Sequence, residues 1–488
     1  LVAIEGMLAG RPVITCTDSG GVTELVSQET GWIAEPTTAA LAQAMRELLT
    51  LPELAEQRGA AARQRALQVT WDKVIAVLGL TSAPTSRPRP GARPILVLAP
   101  FALRPPRFGG ANRIFHLYRA WSRHAPVHVL CVAGQNSSQR FAPDLTIEEM
   151  ATTIQFERHA ASWERRLNVS ARDVALLDGM QHLPEYRARV QEAVAAASLV
   201  VASHPYCLPA LPERIAVPLV YDAHNVEHDL KVQLWDGAEE LAREHALALV
   251  HEAEKQALER AAAVLTVCHG EAERFEALYG IGRLWVNAPN GVDLAHRPFL
   301  PQEAKQELRR RLGIQNSLAV FVGSWHTPNV MALDVVLACA AALPKMLFAI
   351  TGTVCEHPKL RRTPSNVALL GKLKEAELAV LLQAADVGLN PMTLGAGTNL
   401  KVLDYAACGA VVLSTPFGVR GLPFTHGLEA WLCPSQAFPE SLKLLAENVQ
   451  LRAQLACAAR QVAEGFSWEK IGADSLTRLA QAGVWSCP

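Results

Sequence analysis

Ten cysteines are scattered through 488 residues and no two form a C-x-x-C pair. The chain therefore lacks the spacing that clips zinc or drives thiol exchange, and its single thiols fit a reduced, cytoplasmic protein. It also lacks an excess of charge: 46 Lys and Arg face 47 Asp and Glu, which argues against nucleic acid as a partner. Long apolar runs are missing too. The best candidate, residues 331–350, is broken by Asp334, Pro344 and Lys345, and reads as a helix followed by a strand rather than a membrane span. No charged-then-apolar leader opens the chain, which begins at Leu1, and this predicts a piece of a longer polypeptide. Asn136-Ser137-Ser138 spells a glycosylation sequon, read as a chance match in a cytoplasmic chain.

What is present is apolar material: half of the residues are hydrophobic, enough for a large core divided among three or more domains. The sharpest boundary is the stretch TSAPTSRPRPGARP, whose four prolines predict an extended linker over 81–93. Before it, residues 1–80 read as half a domain, with a buried strand at 10–17 and helices at 39–49 and 52–66. After it, strand-like runs at 94–100, 127–132, 199–202 and 218–222 alternate with helical stretches. The pattern restarts at 318–322 and continues through 346–351, 367–369, 387–390 and 410–414. Such alternation predicts an α/β chain of parallel sheets covered on both faces.

The two ends repeat one another. LVAIEGMLAGRPVITCT at 1–17 aligns with LKVLDYAACGAVVLSTP at 400–416, and TWDKVIAV at 70–77 with FSWEKIGA at 466–473, so Gly10 and Trp71 correspond to Gly409 and Trp468. A duplication is the expected origin.

Two Gly-rich loops follow strands and open helices, an arrangement that offers free N–H groups and a positive helix end to phosphate. One is Gly109-Gly110-Ala111-Asn112-Arg113; the other, more specific, is Gly395-Ala396-Gly397-Thr398-Asn399-Leu400-Lys401, with Asp404 in the first turns of the helix. As a helix-dipole partner alone, Asp404 would contribute about 0.3–1 kcal/mol.

At this point the sequence resembles a known family. The stretch 390–422, with YDAHNVE at 221–227, PNGVD at 289–293 and FVGSWHTPN at 321–329, is similar to a family 4 retaining glycosyltransferase over residues 94–485. Residues 1–80 resemble the C-terminal end of a second such enzyme. The resemblance implies the GT-B fold, two Rossmann-like domains facing a cleft: an acceptor-side domain over 94–300 and a nucleotide-sugar-binding domain over 301–485. It implies a nucleotide-sugar donor and a carbohydrate or lipid-linked acceptor. The donor diphosphate would meet Gly109, Gly110, Gly323 and the Gly397, Thr398, Asn399 and Leu400 backbone. The base would lie near Gly371 and Leu373. Asp404 matches the second acid of the family's E-x7-E signature and would take the ribose, with Glu5 its counterpart in the first segment. His204 matches the histidine that meets the donor sugar, and Asn112 and His224 are acceptor-side candidates.

Two departures stand out. Ala396 occupies the place of the first acid of E-x7-E, and residues 324–333 carry no Arg or Lys, so Lys401, Arg113 or Arg420 would have to neutralise the leaving diphosphate. No D-x-D pair occurs, and transfer without a metal or other cofactor is expected. Competing readings are a non-catalytic subunit of the same fold that binds a partner or nucleotide, and a zinc peptidase suggested by H-x-x-E-H at His224–His228. Arg87, Arg89, Arg93, Arg104, Arg107, Arg113, Arg119 and Arg123 crowd one stretch and suggest peripheral contact with anionic lipid.

Overall fold

The computed structural model describes residues 2–67, 92–106, 108–235, 237–395 and 397–486. Most of the Pro-rich linker, Trp71 of the repeat, Arg87, Arg89, Arg107 and Ala396 lie outside the described residues. The chain divides into a unit at Leu1–Ser86 and a unit at Arg87–Pro488. Among the described residues no helix is long and apolar enough to cross a membrane.

In the first unit a helix at Val2–Leu8 leads into β1 (Val13–Cys16), which pairs in parallel with β2 (Gly31–Ala34). Helices at Thr38–Thr50 and Pro52–Leu67 follow. The core is small, built on Met7, Val26, Ala62 and Ala66.

The second unit holds two lobes. The first lobe is an eight-stranded sheet of β3 (Ile95–Ala99), β4 (Val127–Ala133), β5 (Ser137–Ala142), β6 (Leu145–Ala151), β7 (Leu199–Ser203), β8 (Leu219–Asp222), β9 (Ala263–Thr266) and β10 (Trp285–Asn287). Its order is β10-β9-β8-β7-β3-β4-β6-β5, parallel except where β5 meets β6. The second lobe contains β11 (Leu318–Val322), β12 (Leu347–Thr351), β13 (Val367–Leu369), β14 (Val387–Asn390), β15 (Val411–Ser414) and β16 (Trp431–Leu432). These run parallel in the order β13-β12-β11-β14-β15-β16, the 3-2-1-4-5-6 arrangement of a Rossmann sheet. Both sheets are sandwiched between helices, so β3, β7, β8, β14 and β15 are buried along their whole length. Their side chains are accordingly apolar nearly throughout.

Strand order places the ligand region before any residue is considered. In an open parallel sheet, the crevice forms at the C-terminal edge where successive connections turn to opposite sides. In the second lobe that point lies between β11 and β14, at Gly323 and the loop from 391 to 399. In the first lobe it lies between β3 and β7, at the loop ending in Gly109 and at His204.

The chain crosses between lobes beside Val292 and returns at Ser467, where the two segments pair: the Val292 amide donates to Phe466 O at 2.9 Å. The final helix, Trp468–Gln481, then packs on the first lobe, with Trp468, Ile471, Leu476 and Leu479 in the core formed around β3 and the helix Gly109–Trp121. A division at residue 300 omits this return.

The repeat seen in the sequence is also a repeat of elements. Helix Val2–Leu8, Gly10 at φ +70°, β1, a 3-10 turn and β2 correspond to helix Leu400–Cys408, Gly409 at φ +80°, β15, a 3-10 turn and β16. Each glycine takes the left-handed conformation that ends the helix and turns the chain into the strand. Among the described residues, two helices follow β2 and three follow β16.

Candidate functional site

A cleft of about 1030 Å³ lies between the lobes. It gathers Gly109, Gly110, Arg113, His204, His224, Gly397, Thr398 and Leu400 from the sequence-derived set. Asn112, Gly323, Gly371, Leu373, Asn399, Lys401, Asp404 and Arg420 are not part of its lining. The loop before Leu400 bears on the first lobe: Asn290 Nδ2 donates to Thr398 Oγ1 at 2.9 Å, and a Cβ on Gly397 (φ +62°) would stand 2.9 Å from Asn225 Oδ1. Only glycine fits that conformation and that approach.

At the end of β8, Asp222 organises the first-lobe wall. Its Oδ1 accepts from Arg113 Nε at 3.1 Å and Nη2 at 2.7 Å; its Oδ2 accepts from Tyr118 at 2.8 Å and Ser203 at 2.9 Å. Burial alone would push the Asp222 carboxyl up, but the Arg113 guanidinium, followed by His224, outweighs it and holds the group well below the usual carboxylate range. Arg113 also donates to Ala288 O at 2.7 Å. Its charge thus faces a buried carboxylate, while the side chain also lines the cleft. Asn112 sits one residue earlier on the same helix and is not among the residues that line the cleft.

Next to this network, His204 stands at φ +69° after β7, a strained backbone for a residue with a Cβ. Its Nδ1 meets Glu227 Oε1 at 3.1 Å, while Nε2 is buried, without a hydrogen-bond partner, 3.6 Å from where a Cβ on Gly110 would lie. Glu227 also accepts from Tyr206 at 2.7 Å and Asn225 at 3.0 Å. Burial favours its neutral form, but the bond and charge of His204 and the Lys231 ammonium outweigh this and keep Glu227 ionised. His224 lies against His204 with ring centroids 3.9 Å apart and the ring planes tilted by 38°. Burial, then the charge of His204, lowers its pKa to about 4. His224 Nε2 faces Ser203 and Asp222 whereas His228 lies on the following helix against His251. The H-x-x-E-H residues therefore do not present two histidines on one helical face, and among the described residues no group of three His, Cys, Asp or Glu is placed to hold a metal ion.

On the second lobe the loop 391–399 opens the helix Leu400–Cys408, and Asn399 is anchored to Gly418 O at 2.8 Å. Lys401 reaches back to Asn329 Oδ1 at 2.7 Å and lies 4.5 Å from the centre of the Phe321 ring. Burial pushes its pKa down to about 7. Arg420 stacks on Phe417 at 4.1 Å, and its Nη2 is 3.5 Å from where a Cβ on Gly395 would stand. Neither cation has a carboxylate within 4 Å among the described residues. Asp404 differs: its Oδ1 accepts from Arg297 Nε at 2.9 Å, and Arg297 also pairs with Glu375. Burial, and after it the charge of Glu375, nonetheless leaves the Asp404 carboxyl raised. Gly323 follows β11, the neighbour of β14, while Gly371 follows the edge strand β13 and its O accepts from the Gly352 amide at 2.8 Å.

Among the described residues, the arginines of the Arg-rich stretch do not form one free cationic face. Arg104 pairs with Glu149, Arg113 with Asp222 and Arg123 with Glu469, while Arg93 caps carbonyls at 195 and 196.

Residues missed in the sequence are mainly partners: Asp222, Glu227, Asn290 and Arg297. The YDAHNVE and PNGVD motifs contain three of them, but their partners are 23 to 109 residues distant. Two buried carboxyls were also unforeseen. Burial raises both Glu254 and Glu271 to about 8.

Residues 1–65 and residues 316–448 each match a family described as Glycosyl transferases group 1. The D-inositol 3-phosphate glycosyltransferase of Jonesia denitrificans is 25% identical over 287 residues, covering 54% of this chain and 66% of the relative. That of Salinispora arenicola is 28% identical over 291 residues, covering 53% and 62%. The chain thus spans just under two thirds of the length of these relatives. Among solved structures, sucrose-phosphate synthase from Thermosynechococcus elongatus superposes with a TM-score of 0.60 at 17% identity, over 80% of this chain and 100% of that one. HepE of Anabaena, solved in complex with UDP-glucose, gives 0.55 at 15% identity over 79% and 99%. The second unit therefore has the GT-B fold, and the stretch similar to the Glycosyl transferases group 1 family, residues 316–448, lies in its second lobe.

Proposed function

We propose that residues 94–485 form a family 4 retaining glycosyltransferase that moves a hexosyl group from a nucleotide sugar to an acceptor hydroxyl without a metal ion. The observation that carries this reading is the pair of cations without carboxylate partners, Lys401 and Arg420, flanking a Gly-rich loop at the Rossmann switch point. A diphosphate there would meet main-chain amides around Thr398, the positive end of the helix Leu400–Cys408, and both charges.

Breaking the bond from the anomeric carbon to the diphosphate oxygen leaves an oxocarbenium-like sugar and a growing negative charge, which these groups stabilise without reorganising. The acceptor oxygen forms its bond to the anomeric carbon from the face the diphosphate leaves, and its proton passes to the departing phosphate oxygen. His204, with Nδ1 fixed by Glu227 and Nε2 unpaired, would meet the donor sugar. Asp404 keeps Oδ2 for a ribose hydroxyl, and the base would lie beside Gly371 and Leu373. His224, held neutral, lines the acceptor side.

The same reading makes residues 1–80 the C-terminal end of a second enzyme, with Glu5 in the place of Asp404. It places the protein in the cytoplasm, where nucleotide sugars are substrates. The test is incubation of the full chain with a panel of nucleotide sugars, following nucleoside diphosphate release and product anomeric configuration. We expect turnover with retained configuration in the presence of a chelator, and a loss of about 10²–10³ in kcat for His204→Ala. Inverted product, dependence on added metal, or nucleotide binding with no turnover would overturn it; the last outcome would mark a binding subunit.

A further inference from the structure

We infer that the acceptor is an uncharged, hydroxyl-rich saccharide carried across the indole of Trp325. This rests on the proposed glycosyltransferase reading and concerns the arm of the cleft at Trp325. On the first-lobe side that arm is bounded by Phe156, Arg172, Asp173 and Lys231, and on the second-lobe side by Trp325 and His326. The two walls face each other closely enough that the Lys231 ammonium, after burial, helps lower the His326 pKa.

Trp325 is 52% exposed although it lines a cavity. Its amide is held by Thr353 Oγ1 at 2.6 Å, and its ring meets His357 edge-on at 5.2 Å. Loop and ring are therefore fixed, and a broad apolar face is left for a ligand to cover. Aromatic faces suit the C–H-lined faces of sugar rings, with polar groups at the rim taking the hydroxyls.

The charges of the arm are already matched. Lys231 pairs with Asp173 and lies 5.5 Å from the rings of both Tyr206 and Trp235. Arg172 Nη2 donates to Glu157 at 2.7 Å. With His326 lowered, chiefly by burial, this arm presents no unpaired cation among the described residues. A phosphate-bearing acceptor would require breaking one of these pairs and desolvating its own charge, whereas a neutral polyol needs only hydroxyl partners such as the partly exposed Asp173 carboxylate. Lys401, whose charge acts on His326 after that of Lys231, and Arg420 lie outside the cleft lining.

The test is calorimetric titration of the full chain with maltotriose, cellotriose and chitotriose as uncharged probes and D-inositol 3-phosphate as the charged one. Wild type, Trp325→Leu and Trp325→Phe are compared, the last retaining a flat ring. At least one uncharged probe is expected to bind more tightly than the phosphorylated polyol, about tenfold more weakly in Trp325→Leu, and with recovery in Trp325→Phe. Tighter binding of D-inositol 3-phosphate, no binding of any uncharged probe, or equal affinity in Trp325→Leu overturns the inference. Titration of the same wild-type sample with nucleotide sugars separates the two failures. Heat from a nucleotide sugar without saccharide binding sinks only the acceptor class, while no heat from any nucleotide sugar sinks the donor site itself.

Discussion

Arg113 and Asp222 form an ion pair across 109 residues of sequence, with Nη2 2.7 Å from Oδ1 and both side chains almost wholly removed from solvent. Removing one partner of a buried pair strands the other charge, at a cost of about 3–5 kcal/mol. Arg113→Ala is therefore expected to lower the denaturant midpoint markedly and to weaken activity only through the fold. Arg420→Ala should do the opposite, leaving the midpoint nearly unchanged and weakening nucleotide affinity. Urea titrations beside nucleotide calorimetry check both. An Arg113→Ala variant as stable as wild type but unable to bind nucleotide would return Arg113 to the donor site.

Lys401 offers a pH signature for the donor site. Its pKa is lowered to about 7 by burial, so the free side chain is charged below that pH and increasingly neutral above it. A bound diphosphate favours the ammonium and must raise the pKa, so binding above pH 7 requires proton uptake. Nucleoside diphosphate affinity is then expected to fall as pH rises from about 7, by up to tenfold per unit. Calorimetry at pH 8 in buffers of different ionisation heat should register uptake approaching one proton. Lys401→Met should lose both the slope and the uptake. An unchanged slope in that variant would assign the titration to another group.

Most strands of the second unit that were legible in the sequence, such as β3, β7, β11 and β15, are buried on both faces, where the chain must be continuously apolar. Those that were not are β5 and β6, an antiparallel edge with polar residues, the two- and three-residue strands β16 and β10, and β9, which is buried throughout. The site divides in the same way. Gly109, Gly397 and Thr398 line the cleft from the two loops that the glycine pattern singled out, whereas His204 was singled out by the resemblance alone. The fate of a charged side chain was not legible. Arg113 and Lys401 look alike as cations beside Gly-rich loops, and only the fold gives Arg113 a carboxylate from β8 while leaving Lys401 with an amide oxygen. Asp404 was placed correctly on its helix, but its pairing with Arg297, supplied by the segment that joins the lobes, had no local signal.

Glu254 lies beneath the start of the helix Glu227–Leu234, accepting from the amides of Glu227 at 2.7 Å and His228 at 2.9 Å. Burial, reinforced by the charge of Glu227, raises its pKa to about 8 against the two amide bonds that lower it. The folded state therefore holds a proton that the unfolded state releases near its ordinary pKa of about 4.3, so this group's contribution to stability falls as pH rises from there towards 8. Glu254→Gln, neutral at every pH, should remove that slope. Melting temperatures across pH 5 to 8 are expected to show wild type losing ground relative to the variant as pH increases. Parallel curves would mean that Glu254 is ionised in the folded protein.

Asn290 and Thr398 join the lobes by one hydrogen bond at 2.9 Å, from the loop after β10 to the loop before Leu400. Because this bond exists only when the lobes are together, its removal should shift the open–closed balance rather than the stability of either lobe. A net contribution of about 0.5–1.5 kcal/mol limits the shift to roughly two- to tenfold. Thr398→Val keeps the shape of the side chain and deletes the acceptor, and the Asn290 amide can then turn to water once the lobes part. The expected result is a larger radius of gyration by small-angle scattering for the unliganded protein. Donor affinity should weaken by no more than tenfold, with the melting temperature almost unchanged; Asn290→Ala should match it in affinity but melt lower, because Asn290 Oδ1 also accepts from Arg113 Nη1 at 3.3 Å. The double variant distinguishes this from simple damage to the site. If the two residues act through their shared bond, the second substitution adds almost nothing to the first, whereas independent contacts with the donor would make the losses multiply.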